Sequence, residues 1–366
     1  MQILEMDLEE LVTASLRGEL KLEDIEYLYD EVDTPTLSEI ASEVSDEISG
    51  NRVSFVSNLI LNYTNICNVR CNFCAFYRTG KESDSYTFSI DRVIEEIEKY
   101  YDKYGITQLL IQGGVNPSLD IDYYLELFKR IKEEFPRIGI NGLSTSEISF
   151  IAKKARITVE ELLKRLRDSG LETIPGAGAE IFHEDVRKTL GRPKGSEIEW
   201  INVMETAHRI GIKSTATMMF GHVENSYHRA DHLHRILSLQ KKYHGFLSFT
   251  PWNFEPGKTK LEEDGLVKFR SGGDEVLRNI AISRIAFGRE LPIVQSSWLT
   301  NGIQMGQLSV LSGANDWGGT IYDEKVIPAT GKDVGNLGRE IIIDALRDIG
   351  KVPVERDNLY RTVKVY

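Results

Sequence analysis

Cysteine is nearly missing from this chain: 366 residues contain three thiols, all between Cys67 and Cys74, and none elsewhere. The lack of a fourth excludes a four-thiolate zinc site, and no histidine stands near the loop to complete a tetrahedral set. A disulfide would leave one thiol over, an arrangement foreign to secreted scaffolds. Long apolar runs are missing too. No stretch approaches the roughly 18 residues a membrane-spanning helix needs, and the acidic opening MQILEMDLEELV is no secretory signal. Positive charge is in deficit, 44 Lys and Arg against 56 Asp and Glu for a net −12, which argues against nucleic acid and anionic membranes as partners. Phosphate-loop signatures are also absent. No G-K-[ST] occurs, and Gly176-Ala-Gly178-Ala-Glu180 carries only part of a dinucleotide fingerprint, too late in the chain for an open doubly wound sheet. A reducing cytosol is the consistent compartment, and the N-x-T match at Asn62 is incidental.

What is present is NYTNICNVRCNFCAFYR, with Cys67, Cys71 and Cys74 spaced C-x3-C-x2-C. Structural thiols that pack as small hydrophobes scatter along a chain, and these do not. Three thiolates can hold three irons of a [4Fe-4S] cube and leave the fourth corner to a small molecule. An electron-transfer protein would spend four cysteines on shielding such a cluster.

Around this loop the chain alternates short β-rich runs with amphipathic helices. Residues 1 to about 50 read as acidic helices with Leu4, Leu8, Leu11 and Leu16 and a break at Thr34-Pro35, an N-terminal cap on a main domain over 51–366. Strands are expected at 59–65, 108–114, ending near Ser144, 171–180, 214–221, 246–254, 293–298 and 316–322. Helix signals fall between them: Ser89 and Gly105 bracket one, and Thr158-x-x-Glu161 and Ser196-x-x-Glu199 open two more. Such alternation implies parallel βαβ units, and this many imply an α/β chain folded as a (β/α)8 barrel, complete or nearly so. Six of the seven histidines lie between His208 and His244; His228, His232 and His234 read as the solvated face of an amphipathic helix rather than a metal set.

C-x3-C-x2-C followed by the aromatics Phe76 and Tyr77 resembles the signature of radical S-adenosylmethionine (SAM) enzymes. PGAGAEIF (175–182), ATMMFGHVE (216–224), PWNFEPG (251–257), QSSW (295–298) and SGANDWGGT (312–320) extend the likeness over nearly the whole chain to the menaquinone-related cyclases and their aminofutalosine- and deazaflavin-forming sisters. The resemblance implies a [4Fe-4S] cluster on Cys67, Cys71 and Cys74, SAM on its open iron, and a reduced donor such as a ferredoxin or flavodoxin. It implies dehypoxanthine futalosine as small-molecule substrate, with hydrogen taken from the ribose C4′ and ring closure onto the benzoate. Catalytic groups of a barrel gather at the carboxyl ends of its strands. That rule, with the resemblance, assigns Phe76, Tyr77, Gly113, Gly114, Ser144 and Glu180 to SAM. His222, Glu224 and Asp316 are candidates for the base and ribose contacts, and Gln295, Ser296 and Asn315 for the substrate carboxylate. Relatives often carry His after the third strand, followed by Ser-Pro. This chain has Asn141 and Ser144-Thr145, a departure at the substrate end rather than in the radical chemistry.

Overall fold

The computed structural model describes residues 6–191 and 195–366; of the N-terminal leucines, Leu4 lies outside them. Three helices, Leu8–Leu16, Leu22–Asp30 and Thr34–Ser49, precede the first strand. Thr34-Pro35 opens the third of these, because proline fits a first turn that has no intrahelical N–H bond to lose, and the Asp33 carboxylate caps it by accepting from Thr36 N. Their apolar faces, with Leu28, Leu37, Ile40 and Val44 fully or almost fully buried, pack against the helix Gly273–Phe287.

Ten strands follow: β1 Arg52–Val56, β2 Asn58–Leu61, β3 Gln108–Ile111, β4 Gly139–Gly142, β5 Thr173–Ile174, β6 Lys213–Phe220, β7 Phe246–Asn253, β8 Asp316–Gly319, β9 Val352–Arg356 and β10 Thr362–Val365. β2 to β7 form one parallel sheet in chain order. Parallel bridges Phe249↔Val294 and Gln295↔Asp316 carry the circle onward to β8, which pairs with β1. The Thr320 hydroxyl closes it, accepting from Asn58 N at 2.8 Å and donating to Asn58 O at 2.7 Å. The expected barrel is therefore closed, with 294–295 as a minimal strand. No described helix is long and apolar enough to cross a membrane.

Three differences from the sequence reading have local causes. The expected strand 171–180 shrinks to two residues, because Gly178 and Glu180 take positive φ of 99° and 44° and break the extended run. A helix, Thr145–Ala155, occupies a stretch read as connection; its signal was the box Ser144-x-x-Glu147. In helix Ser226–Tyr243 His228 and His234 are half-buried, but His232 is not on a solvated face: it is fully buried, its Nε2 bonds Thr217 O at 2.9 Å, its ring stacks on Phe182, and burial pushes its pKa down to about 3.

The C-terminal strands also went unread. β9 adds to β1, and the turn before β10 seals the barrel's amino-terminal end. Asn358 Oδ1 accepts from Gln108 Nε2 at 2.6 Å and Thr173 Oγ1 at 3.1 Å, while Tyr360 Oη accepts from Gln295 Nε2 at 2.9 Å.

Candidate active site

β2 delivers the cysteine loop at the barrel's carboxyl end, and backbone bonds fix its shape. Cys67 N donates to Arg78 O at 2.9 Å, Arg78 N to Asn65 O at 2.7 Å and Cys74 N to Cys71 O at 3.1 Å. Arg78 clamps the return: its Nη1 donates to the carbonyls of Ala75, Phe76 and Tyr77, and its Nε and Nη2 to Asp84. Asn72 ties the loop sideways, donating from its backbone N to Leu190 O and from Nδ2 to Thr189 O, both at 2.8 Å.

All three thiols are half-buried and line one cavity of about 210 Å³. Phe76, Tyr77, Gly113, Gly114, Ser144 and Glu180 line it too, so the structure brings these sequence candidates together. No group of three His, Cys, Asp or Glu side chains among the described residues is arranged to hold a single metal ion. Gly113 and Gly114 are required by packing against this loop: a Cβ on Gly114 would lie 2.2 Å from Ile66 O, and one on Gly113 2.8 Å from the Tyr63 ring. Both therefore face protein with their missing side chains and leave the strand-end backbone at the cavity wall.

Glu147, which sequence reasoning missed, organises this wall. Its Oε1 accepts from Tyr63 Oη at 2.5 Å and Gly113 N at 3.2 Å, and its Oε2 from Ser144 N at 2.6 Å and Ser144 Oγ at 2.7 Å. One carboxylate thus joins the ends of β2, β3 and β4. Burial raises its pKa, against the lowering pull of the Tyr63, Ser144 and Gly113 bonds. Asn62, also missed, lines the cavity with its Oδ1 buried and without a hydrogen-bond partner.

Below lies a second cavity of about 270 Å³ inside the barrel, which shares Gln112, Ala177, Gly178 and Glu180 with the first. Its lining follows the two-residue period of the strands: Asn58 and Ile60, Gln108, Leu110 and Gln112, Thr215 and Thr217, Gln295 and Ser297. Gln295 is therefore inside the barrel, held by Thr250 Oγ1 at 2.7 Å and Tyr360 Oη at 2.9 Å.

The remaining candidates lie off both linings. Ser296 is buried and donates to Trp317 O. Asn315 Oδ1 accepts from Arg284 Nη2 at 2.7 Å and Val294 N at 3.0 Å. Asp316 is fully buried, accepting from Arg356 Nε at 2.6 Å, Arg356 Nη2 at 3.1 Å and Ser54 Oγ at 2.5 Å. His222 Nε2 bonds Met219 O at 2.9 Å, and its Nδ1 lies 2.9 Å from Glu224 Oε2. Glu224 Oε1 accepts from Arg229 Nη2 at 2.6 Å and Gly221 N at 2.6 Å. Burial would raise the Glu224 pKa, but His222 and Arg229 hold it below the usual carboxylate range. His222 and Glu224 belong to a buried framework at the carboxyl end of β6, whereas Asn315 and Asp316 stand at the amino end of β8, with Asp316 paired to Arg356.

Residues 61–236 match the Radical SAM superfamily and residues 243–366 the CofH/MqnC C-terminal region. The chain is 38% identical to the 5-amino-6-(D-ribitylamino)uracil--L-tyrosine 4-hydroxyphenyl transferase of Methanothermobacter thermautotrophicus, covering 91% of this chain and 90% of that one. It is 36% identical to the aminodeoxyfutalosine synthase of Thermus thermophilus (95% and 93% covered) and 34% to the cyclic dehypoxanthine futalosine synthase of Halalkalibacterium halodurans (99% and 96%). Among solved structures, methylornithine synthase (PylB) shares the fold at 20% identity with a TM-score of 0.74, covering 94% of this chain and 97% of that one. HydG from Carboxydothermus hydrogenoformans does so at 17% and 0.72, with 97% and 80% covered. With relatives this similar over nearly its full length, and a thiol-lined cavity seated on a parallel barrel, the chain belongs to the radical SAM superfamily, in the futalosine-related family.

Proposed function

We propose that this radical SAM enzyme cyclises dehypoxanthine futalosine, closing a carbon–carbon bond between the substrate's ribose and its benzoate ring. Members of the superfamily use a [4Fe-4S] cluster and SAM. The observation that carries the reading is the junction of the two cavities at Gln112, Ala177, Gly178 and Glu180, which would let a radical formed at the thiol-lined cavity reach a substrate held in the barrel cavity.

The residues fit the cofactors. Cys67, Cys71 and Cys74 would ligate three irons, and the partnerless Asn62 Oδ1 and the half-buried Glu180 offer acceptors to SAM's ammonium and ribose hydroxyls. When bound, the reduced cluster supplies the electron that splits SAM into methionine and a carbon radical, with a ferredoxin or flavodoxin as donor. The protein's own work is positional: Glu147 holds three strand ends at fixed spacing, and the barrel wall keeps the reacting carbons together and water out. Restoring the aromatic ring releases a proton, and one electron that would return to the oxidised cluster. Glu180 lines both cavities and is placed to take the proton on a carboxylate oxygen, whereas His222, Glu224 and Asp316 line neither cavity.

Glu180→Ala is expected to weaken SAM binding by about 10- to 150-fold, the worth of a charge-assisted hydrogen bond, with iron content retained. An unchanged SAM titration would remove Glu180 from the site.

A second reading is a 4-hydroxyphenyl transfer between L-tyrosine and 5-amino-6-(D-ribitylamino)uracil. It is supported by the 38% identity, over 91% of this chain, to a relative of that name. The test is anaerobic incubation with SAM and dithionite, with the substrates side by side. Dehypoxanthine futalosine should give 5′-deoxyadenosine and a spirocyclic product that has lost two hydrogens, seen by mass spectrometry and NMR. An aryl–uracil adduct would install the second reading, and aminofutalosine from 3-(1-carboxyvinyl)oxybenzoate the sister synthase; the absence of both 5′-deoxyadenosine and any SAM-dependent product from all of them would refute all three.

A further inference from the structure

We infer that the barrel floor is a subsite for an uncharged, hydrogen-bond-donating part of the substrate, and that it turns the substrate's carboxylate away toward the mouth. The inference rests on the reading that this chamber holds substrate.

Three polar side chains lining the chamber carry buried atoms with no partner: Asn58 Oδ1, Asn141 Oδ1 and Ser297 Oγ, in residues 5%, 7% and 3% exposed. Buried polar atoms are almost always paired, so three partnerless ones around one void point to a ligand that completes them. All three can accept, and the two carboxamide oxygens can only accept, so the complementary group bears O–H or N–H. Ser297 supports the same conclusion from the backbone. It sits at φ 54°, a costly conformation for a residue with a side chain, and that conformation directly precedes the helix start at Trp298.

Charge decides against an anion here. Arg356 and Glu180 are the charged residues in the described lining. Asp316 takes Arg356 Nε and Nη2, Asp357 O accepts from its Nη1 at 3.3 Å, and its guanidinium carbon lies 3.6 Å from the Tyr360 ring centroid. A carboxylate brought to this floor would be desolvated with no unspent counter-charge, whereas hydroxyls or amine N–H groups would meet waiting acceptors. The same chemistry is offered by a sugar-type polyol and by an amino-substituted heterocycle, and the floor accepts either.

The test is anaerobic calorimetric titration of the reconstituted, SAM-loaded protein with each candidate substrate, comparing wild type with Asn58→Leu and Asn141→Leu. Loss of a bond to a buried acceptor should weaken substrate binding by about 5- to 150-fold while SAM affinity stays unchanged. Unchanged substrate affinity in both folded variants would overturn the subsite. If none of the candidates binds wild type, the functional reading fails, and ribitol and benzoate then test the floor by themselves. Ribitol binding that Asn141→Leu abolishes supports it; benzoate binding that depends on Asn141 or Asn58 refutes it.

Discussion

Cys71→Ala should purify as a folded protein that loses most of its iron after anaerobic reconstitution and releases no detectable 5′-deoxyadenosine. Two thiolates hold a cube poorly, because the remaining iron corners open to water and exchange. The fold should not notice. The loop's shape comes from the Cys67–Arg78 and Arg78–Asn65 backbone bonds, the Arg78 clamp and the Asn72 tethers, none of which uses the Cys71 side chain. Circular dichroism and melting temperature should therefore match wild type while iron and sulfide fall together. Near-stoichiometric iron in the variant would refute the ligand assignment, and a collapsed melting curve would show that the thiol's role is packing.

The second large effect lies at the opposite end of the barrel. Asp316→Ala should destabilise the protein by about 3–5 kcal/mol, the usual result of stripping one partner from a buried ion pair. Asp316 is 0% and Arg356 2% exposed, so the orphaned guanidinium would be left buried without its counter-charge. The lost carboxylate also accepts from Ser54 Oγ, which ties β8 to β1, and from Gly318 N within β8. The double variant Asp316→Ala/Arg356→Met should recover much of the loss, since replacing a buried pair by apolar groups is often near neutral. Thermal or urea unfolding decides. If the single variant melts like wild type, or the double variant is no better than the single, the pair is not what holds the floor.

How much of this was readable in the sequence varies with distance along the chain. The cysteine triad was legible because its members share one loop, so spacing alone fixes their proximity. Gly113, Gly114, Ser144 and Glu180 were legible because parallel strands of a barrel all end at one face, and all four do line the thiol cavity. The same rule misled at Ser296, Asn315 and Asp316. Asn315 and Asp316 stand at the amino end of β8 rather than its carboxyl end, and a strand sends alternate side chains to opposite sides: Gln295, Ser297 and Trp317 reach the chamber while Ser296 and Asp316 do not. A shift of one residue separates a lining group from a framework group.

Glu147 was hidden in a different way. Its box with Ser144 is a local helix signal, yet its bonds to Tyr63 and Gly113 come from residues 84 and 34 positions away. The barrel floor was the least accessible feature of all, because Arg356, Asn358 and Tyr360 reach it from the chain's last segment. Tyr360 Oη meets Ser248 and Gln295 across 112 and 65 residues.

Sequence by itself determined the chemistry at the mouth, a thiol triad on a parallel barrel, since helix and strand periodicity and a single short loop are local properties of the chain. Only the tertiary structure decided what that chemistry meets. The register of β8 against β1, and the reach of the C-terminal turn beneath them, neutralise the floor's cation and leave Asn58, Asn141 and Ser297 without partners. Those are long-range pairings, fixed by packing rather than by any run of neighbouring residues.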